Sequence, residues 1–212
     1  MKVGRKRSFD TSEALDKAMR LFWENGYSAT SVKDLTDVLG INKPSLYAAF
    51  GNKEALFEKA LEHYVSRYAA PKLEQLTQST HHPLPQRISN HINSIIDSVC
   101  DTTTPLGCLI VKSSCESGGT GLPEEIGQSL QTIGQVTQRT LTMLFEQAQQ
   151  NGQFSADANP KASADYLMSL LYGISVLARQ GRSREELRAI VNLAVAALPL
   201  KDGETVSSEW IS

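Results

Sequence analysis

The side chains best suited to chemistry in this sequence are three cysteines, Cys100, Cys108 and Cys115, and four histidines, His63, His81, His82 and His91. Cys108 and Cys115 are seven residues apart, which on a helix is two turns and one face. A thiol trio there suits a soft metal such as Cu(I), or reaction with oxidants and electrophiles through a thiolate that Lys112 would favour. Buried cysteines acting as small apolar residues account for the same pattern. The histidines form no HExxH set, and His81-His82 before Pro83 reads as a polar loop. SGGTG at 117–121 has glycines but no following Lys-Ser/Thr, so it is no phosphate loop. No Ser/His/Asp constellation is legible. We expect no enzyme, no cofactor and no resident metal.

A second set suits polyanion recognition: Lys33, Lys43, Pro44, Ser45, Tyr47, Ala48 and Lys53. With Leu46 and Phe50 taken as the inward pair of a short helix, 100° per residue turns Pro44, Ser45, Tyr47 and Ala48 outward, flanked by Lys43 and Ala49. That face carries a hydroxyl, a phenol, a cation and almost no bulk. Small residues let a helix backbone approach base edges in a major groove, while Ser, Tyr and Lys reach bases or phosphates. Lys33 and Lys53 would hold the phosphates on either side.

The elements that must position these residues are helices. Asp10 with Glu13 opens a helix that Gly26 ends. Ser31 with Asp34 opens a second, whose Val32, Leu35, Val38 and Leu39 share a face before Gly40 stops it. Asn42 caps the third, where Pro44 is tolerated because a first-turn N–H has no intrahelical partner. Asn52 caps a fourth, with Tyr64 and Tyr68 expected to face the larger C-terminal domain. Further helices are expected over 86–100, from Pro123 to Gly152, from Asn159-Pro160, and from the capping box Ser183–Glu186 to Pro199, while CLIVKSSCES at 108–117 suits helix or strand and is taken as helix from its context. No stretch alternates with period two for long enough to predict a strand. The fold class is therefore all-α. An N-terminal three-helix helix-turn-helix domain (1–52) leads through a connecting helix (53–78) to a larger C-terminal bundle (79–200) and a tail (201–212).

Hydrophobic residues make up 41% and charged residues 21% of the 212, ordinary for a globular protein. No run approaches the ~18 apolar residues of a membrane span. The basic start MKVGRKRSFD lacks the apolar core of a secretory signal, and an odd cysteine count argues for a reducing compartment. A cytoplasmic protein with no membrane partner is expected. Residues 1–70 hold 11 Lys/Arg against 9 Asp/Glu, and the remainder 10 against 14. The basic end coincides with the helix pair, and the arm Gly4-Arg5-Lys6-Arg7 suits either a minor-groove contact or a merely solvated tail.

The span from Phe9 to Tyr68, centred on FWENGYSATSVKDLTDVLGINKPSLYAAFGNKEALFEKAL, resembles the DNA-binding domain of TetR-family transcriptional regulators. The likeness rests on Gly26-Tyr27, Thr30-Ser31, Leu35, Leu39-Gly40, Leu46-Tyr47, Phe50, Asn52-Lys53, Leu56 and Phe57. It implies a homodimeric repressor of double-stranded operator DNA, released by a small-molecule effector in the C-terminal bundle. Lys33, Lys43, Ser45, Tyr47 and Lys53 would by position inherit the family's DNA contacts. PLGCLIVKSS at 105–114 resembles a subgroup with a GC-L stretch early in the effector domain. The alternative is a cysteine-based redox, electrophile or metal sensor with no operator of its own. For the dimer interface we expect Tyr166, Leu170, Gly173, Ile174 and Leu177 on one helix, and Leu187, Ile190, Val191, Ala194 and Leu198 on the next. Two such helices are too apolar to be hidden by each other alone.

Overall fold

Asp10 Oδ1 accepts from the Ser12 and Glu13 amides at 2.7 and 3.4 Å and starts α1 (Thr11–Asn25) in a computed structural model that describes residues 10–79, 81–117 and 121–201. Glycine ends that helix at Gly26, where φ is +92°. The reciprocal Ser31–Asp34 capping box opens α2 (Val32–Leu39), and Gly40, left-handed at φ 66° and ψ 30°, turns the chain. Asn42 Oδ1 accepts from Ser45 N at 2.9 Å to start α3 (Lys43–Phe50). Asn52 Oδ1 does the same for Ala55 N at 2.8 Å at the start of α4 (Lys53–Tyr64). The remaining helices are α5 (Ala70–Gln78), α6 (Leu84–Val99), α7 (Leu109–Glu116), α8 (Glu124–Gln150), α9 (Pro160–Arg179), α10 (Arg184–Arg188) and α11 (Val191–Ala196). Among the described residues the only β pairing is an isolated antiparallel bridge between Phe154 and Leu200. The all-α class is as expected; the basic arm at Gly4–Arg7 and the tail beyond Lys201 lie outside the described residues.

The helices form two compact units. One takes in the chain to Ala70 together with Asp101–Thr132, a stretch the sequence alone assigned to the C-terminal domain. Its core is aromatic. Phe22 meets Phe57 edge-on at 4.9 Å, Tyr27 meets Phe57 at 5.1 Å, and Trp23 meets Tyr64 at 4.8 Å and Tyr68 at 5.2 Å. Such pairs add ~0.5–1.5 kcal/mol each beyond their burial. Tyr64 and Tyr68 thus pack on Trp23 of α1, and Tyr64 also lies against Cys108, in the stretch the sequence assigned to the effector domain. The expected connecting helix is not uniform. A π-helical turn, Val65–Ala69, separates α4 from α5, and Arg67 in it reaches Asp16 Oδ1 at 3.1 Å. That carboxylate also takes Arg20 Nε at 2.8 Å and has His63 Nε2 at 3.5 Å.

The second unit is built on α6, whose Ile88, Ile92, Ile96 and Val99 are buried against α9, α10 and α11. Asp97 near its end pairs with Arg184 at 3.0 Å and Arg188 at 2.7 Å. Arg87 donates from Nε and Nη2 to the Leu76 carbonyl at 3.0 and 2.7 Å, which satisfies an orphan carbonyl at the end of α5. The expected last helix is broken. α10 ends at Arg188 and α11 begins at Val191, with the Ser183–Glu186 capping box in place at the front.

Five of the ten residues expected at a dimer interface are core instead. Ile174, Leu187, Val191, Ala194 and Leu198 are buried within the protomer. Their apolar spacing reflects packing on this chain's own α6, which the same periodicity cannot distinguish from packing on a partner. Tyr166 and Gly173 are exposed, and Leu170, Leu177 and Ile190 are half-buried.

Candidate nucleic-acid interface

On α3, Leu46 and Phe50 are fully buried while Lys43, Pro44, Tyr47 and Ala48 are exposed and Ser45 is half-buried. The inward pair and the outward face thus divide as the 100° geometry predicts. Tyr47 is 41% exposed, with the Lys43 ammonium 5.6 Å from its ring centre. On the supporting α2, Leu35 and Leu39 are buried, but Val38 is 44% exposed instead of joining that face.

Two further cations flank α3, each already engaged. Lys33, in the first turn of α2, pairs with Asp37 at 2.9 Å, one turn on. That pair raises the Lys33 pKa, first through the hydrogen bond and then through the Asp37 charge. A phosphate at this point would compete with Asp37 for the ammonium. Lys53, at the start of α4, lies 4.0 Å from the centre of the Tyr27 ring. Partial burial there lowers its pKa from the ordinary lysine value, opposed by the charges of Glu54 and Glu116. Tyr27 is held in turn: its hydroxyl donates to Glu54 Oε1 at 2.8 Å, and burial, then that bond, raises its pKa. The first amides of α4 have no intrahelical acceptor, so Lys53 and a helix N-terminus offer an anion positive charge and free donors together. Lys53 opens the fourth helix as the sequence indicates, but its platform was missed, because Tyr27 is 26 residues away and no local pattern links them.

The thiols are dispersed. Cys100 is half-buried on α6's C-terminal cap, where burial pushes its pKa up despite Arg184 nearby. Cys108 caps α7 in extended conformation, φ −125° and ψ 131°, so it does not share a helical face with exposed Cys115 as expected. Cys108 lies against the Tyr64 hydroxyl, whose pKa burial and then that thiol push well above the phenol range. Lys112 Nζ donates to the Glu24 carbonyl at 2.6 Å. No group of three His, Cys, Asp or Glu side chains able to hold a metal comes together among the described residues, which removes the thiol trio as a ligand set. In the second unit a cleft of about 160 Å³ is lined by Arg87, Leu144, Gln147, Ala148, Asn151 and Gln153. It is smaller than the ~300–1,000 Å³ usual for small-molecule sites. Among the described residues no helix is long and apolar enough to cross a membrane.

A glycine-turned helix pair whose second helix presents a thin polar face has the form of a helix-turn-helix. The chain belongs to the TetR family. A model described as bacterial regulatory proteins, tetR family, matches residues 14–60, and one described as tetracyclin repressor-like, C-terminal domain, matches residues 85–197. It is 33% identical to the HTH-type transcriptional repressor ComR of Escherichia coli K12 over 200 residues, 92% of each chain. It is 28% identical to the repressor BdcR of the same organism, again over 92% of each. Among solved structures it resembles a cysteine mutant of the TetR family regulator CifR complexed with 26-base-pair operator DNA. The TM-score is 0.84 and the identity 31%, over 92% of this chain and 100% of that one. The function is that of a DNA-binding transcriptional repressor.

Proposed function

We propose that the protein binds a pseudo-palindromic operator as a homodimer, and that a small-molecule effector in its C-terminal helices releases it. The observation that carries this reading is the division of α3: Leu46 and Phe50 in the core, Lys43, Pro44, Tyr47 and Ala48 exposed. Pro44, Ala48 and half-buried Ser45 give backbone clearance for base edges, with Tyr47 and Lys43 in reach of bases or phosphates. Lys33 and Lys53 contact the flanking phosphates. That the CifR cysteine mutant, which this chain resembles, is solved in complex with operator DNA supports a DNA-binding role for the same fold. The dimer forms through the surface that α9 and α11 leave open, from Tyr166, Leu170, Gly173 and Leu177 to Ile190 and Leu193. It sets the two α3 helices about 34–36 Å apart, one turn of DNA. An effector that changes this spacing lowers affinity because both half-sites can no longer be held together. A gel shift against the protein's own upstream region at moderate salt, with a random duplex as competitor, tests it. Preferential retention of the upstream duplex is expected, and equal binding of both would overturn the reading.

A second reading concerns the signal rather than the operator. Cys108 sits against Tyr64 where α7 begins, so adding bulk to its sulfur by an electrophile would separate α7 from α4. Cys108→Ser then abolishes release from DNA by electrophiles, and a full response in that variant excludes this thiol. The version of this reading that lacked an operator does not survive the family assignment.

A further inference from the structure

The turn between α1 and α2 is held from outside the helix-turn-helix by two side chains of α7. Glu116 Oε2 accepts from the Ser28 amide at 3.0 Å, and Lys112 Nζ donates to the Glu24 carbonyl at 2.6 Å. The two residues are four apart on α7, hence on one face. Each takes a group that the local helices leave unsatisfied. Glu24 offers one of the last carbonyls of α1, where a cation is favourable, and the Ser28 amide lies in the turn itself. The approach is tight: a Cβ at Gly26 would collide with the Glu116 carboxylate. The same segment is fastened further back along α1, with Arg20 Nη1 donating to the Thr103 carbonyl at 2.9 Å and Trp23 Nε1 to the Gly107 carbonyl at 3.2 Å.

What the turn supports makes this more than a packing detail. Thr30 Oγ1 donates to the Gly26 carbonyl at 2.6 Å, which sets the chain direction just before the Ser31 cap of α2. Tyr27 carries Lys53 on its ring and holds Glu54 by its hydroxyl. The starts of α2 and α4, where Lys33 and Lys53 meet phosphates, therefore both hang on residues 26–30.

We propose that Lys112 and Glu116 are positioning residues for operator binding: they latch the 26–30 turn so that Lys33 and Lys53 stand at a fixed span around α3. This rests on the operator reading above and adds the part played by α7. Neither residue touches DNA in this scheme. Removing the latch lowers affinity by releasing the clamp, without changing how many phosphates are neutralised.

The test compares Glu116→Ala, Glu116→Gln and Lys112→Met with the wild type in the full chain. Glu116→Ala is expected to bind operator about fivefold more weakly, with an unchanged slope of log affinity against log salt. Glu116→Gln retains an oxygen that accepts from Ser28 N and is expected to recover most of the loss. Lys112→Met weakens binding with the same unchanged slope. Amide exchange at Ser28, read without DNA, is faster in Glu116→Ala and near wild type in Glu116→Gln. Tighter binding by both Glu116 variants would mean the carboxylate acts only by repelling phosphates, and would overturn the latch. So would equal affinity for all four proteins, or a Ser28 amide indifferent to Glu116. Failure of the wild type to prefer operator over random duplex would instead strike the operator reading, and the exchange measurement would still decide whether the turn is latched.

Discussion

The Lys53 ammonium stands over the Tyr27 ring, 4.0 Å from its centre, while the Tyr27 hydroxyl is bonded to the neighbouring Glu54 at 2.8 Å. An aromatic face attracts a cation without neutralising it, so the charge stays available to a phosphate. Lys53→Met should therefore weaken operator binding and reduce the salt slope by about one unit, the signature of one lost phosphate contact. Tyr27→Phe keeps the ring and loses only the bond to Glu54. It should leave affinity within about twofold of wild type and cost about 1 kcal/mol of stability. An unchanged salt slope in Lys53→Met would remove Lys53 from the interface.

Tyr47 tests the recognition helix itself. It is 41% exposed, lies outside the buried pair Leu46 and Phe50, and accompanies Lys43 on the outward face. Tyr47→Ala should lower operator affinity about tenfold, as expected for losing a contact worth ~1–3 kcal/mol. Thermal midpoint and oligomeric state should not change. Fluorescence anisotropy with a labelled operator measures the first and sedimentation the second. Unchanged affinity would argue against docking through α3.

How much of this could be seen in the sequence depended on distance along the chain. The Ser31–Asp34 box, the Asn42 and Asn52 caps and the division of α3 all follow from bonds or angles spanning four residues or fewer, and each was legible. Tyr27 under Lys53 and Glu116 on Ser28 join residues 26 and 88 apart, and nothing local marks them. The π-helical turn at Val65–Ala69 escaped for another reason: its residues are ordinary helix formers, and tertiary packing of Trp23 against Tyr64 and Tyr68 accompanies the altered register. Apolar periodicity also misled at the end of the chain. It marked Ile174 and Val191 as interface residues when their partner is α6 of the same protomer, and it passed over Leu193.

His91 predicts an acid-sensitive second unit. Its ring is buried with Nδ1 3.1 Å from the Lys72 carbonyl, and burial lowers its pKa to about 4. The unfolded chain takes up the proton near pH 6.5, so below that pH it binds more protons than the folded chain and stability falls with acidity. Above pH 6.5 both states are neutral and the group contributes no slope. About 2 kcal/mol should be lost between pH 7 and pH 5, with further loss down to about pH 4. His91→Asn, which does not titrate, should flatten urea-unfolding free energies over that window. The lowered carboxyl pKa values of Asp16, Asp34, Asp165 and Glu186 act only at lower pH, where their stabilisation is lost as they protonate. A variant with the wild-type slope between pH 6.5 and 5 would mean that His91 titrates normally.

Leu193 bears on the proposed dimer. It is 73% exposed on α11, an unusual position for a leucine between buried Val191 and Ala194, and Tyr166 of α9 donates its hydroxyl to the Ala194 carbonyl at 3.3 Å. That bond places Tyr166 beside α11, and in the proposed dimer Tyr166 and Leu193 would face the partner, with Gly173 allowing close approach. A glutamate in the centre of such a surface would be buried without a counter-charge, which a dimer does not tolerate. Leu193→Glu should therefore elute as a folded monomer where the wild type elutes as a dimer. Each monomer could hold only one half-site, and operator affinity should fall by at least about a hundredfold, the advantage of linked sites. A Leu193→Glu protein that remains dimeric would move the interface elsewhere, with the exposed Val136 and Met143 of α8 as the next surface to substitute.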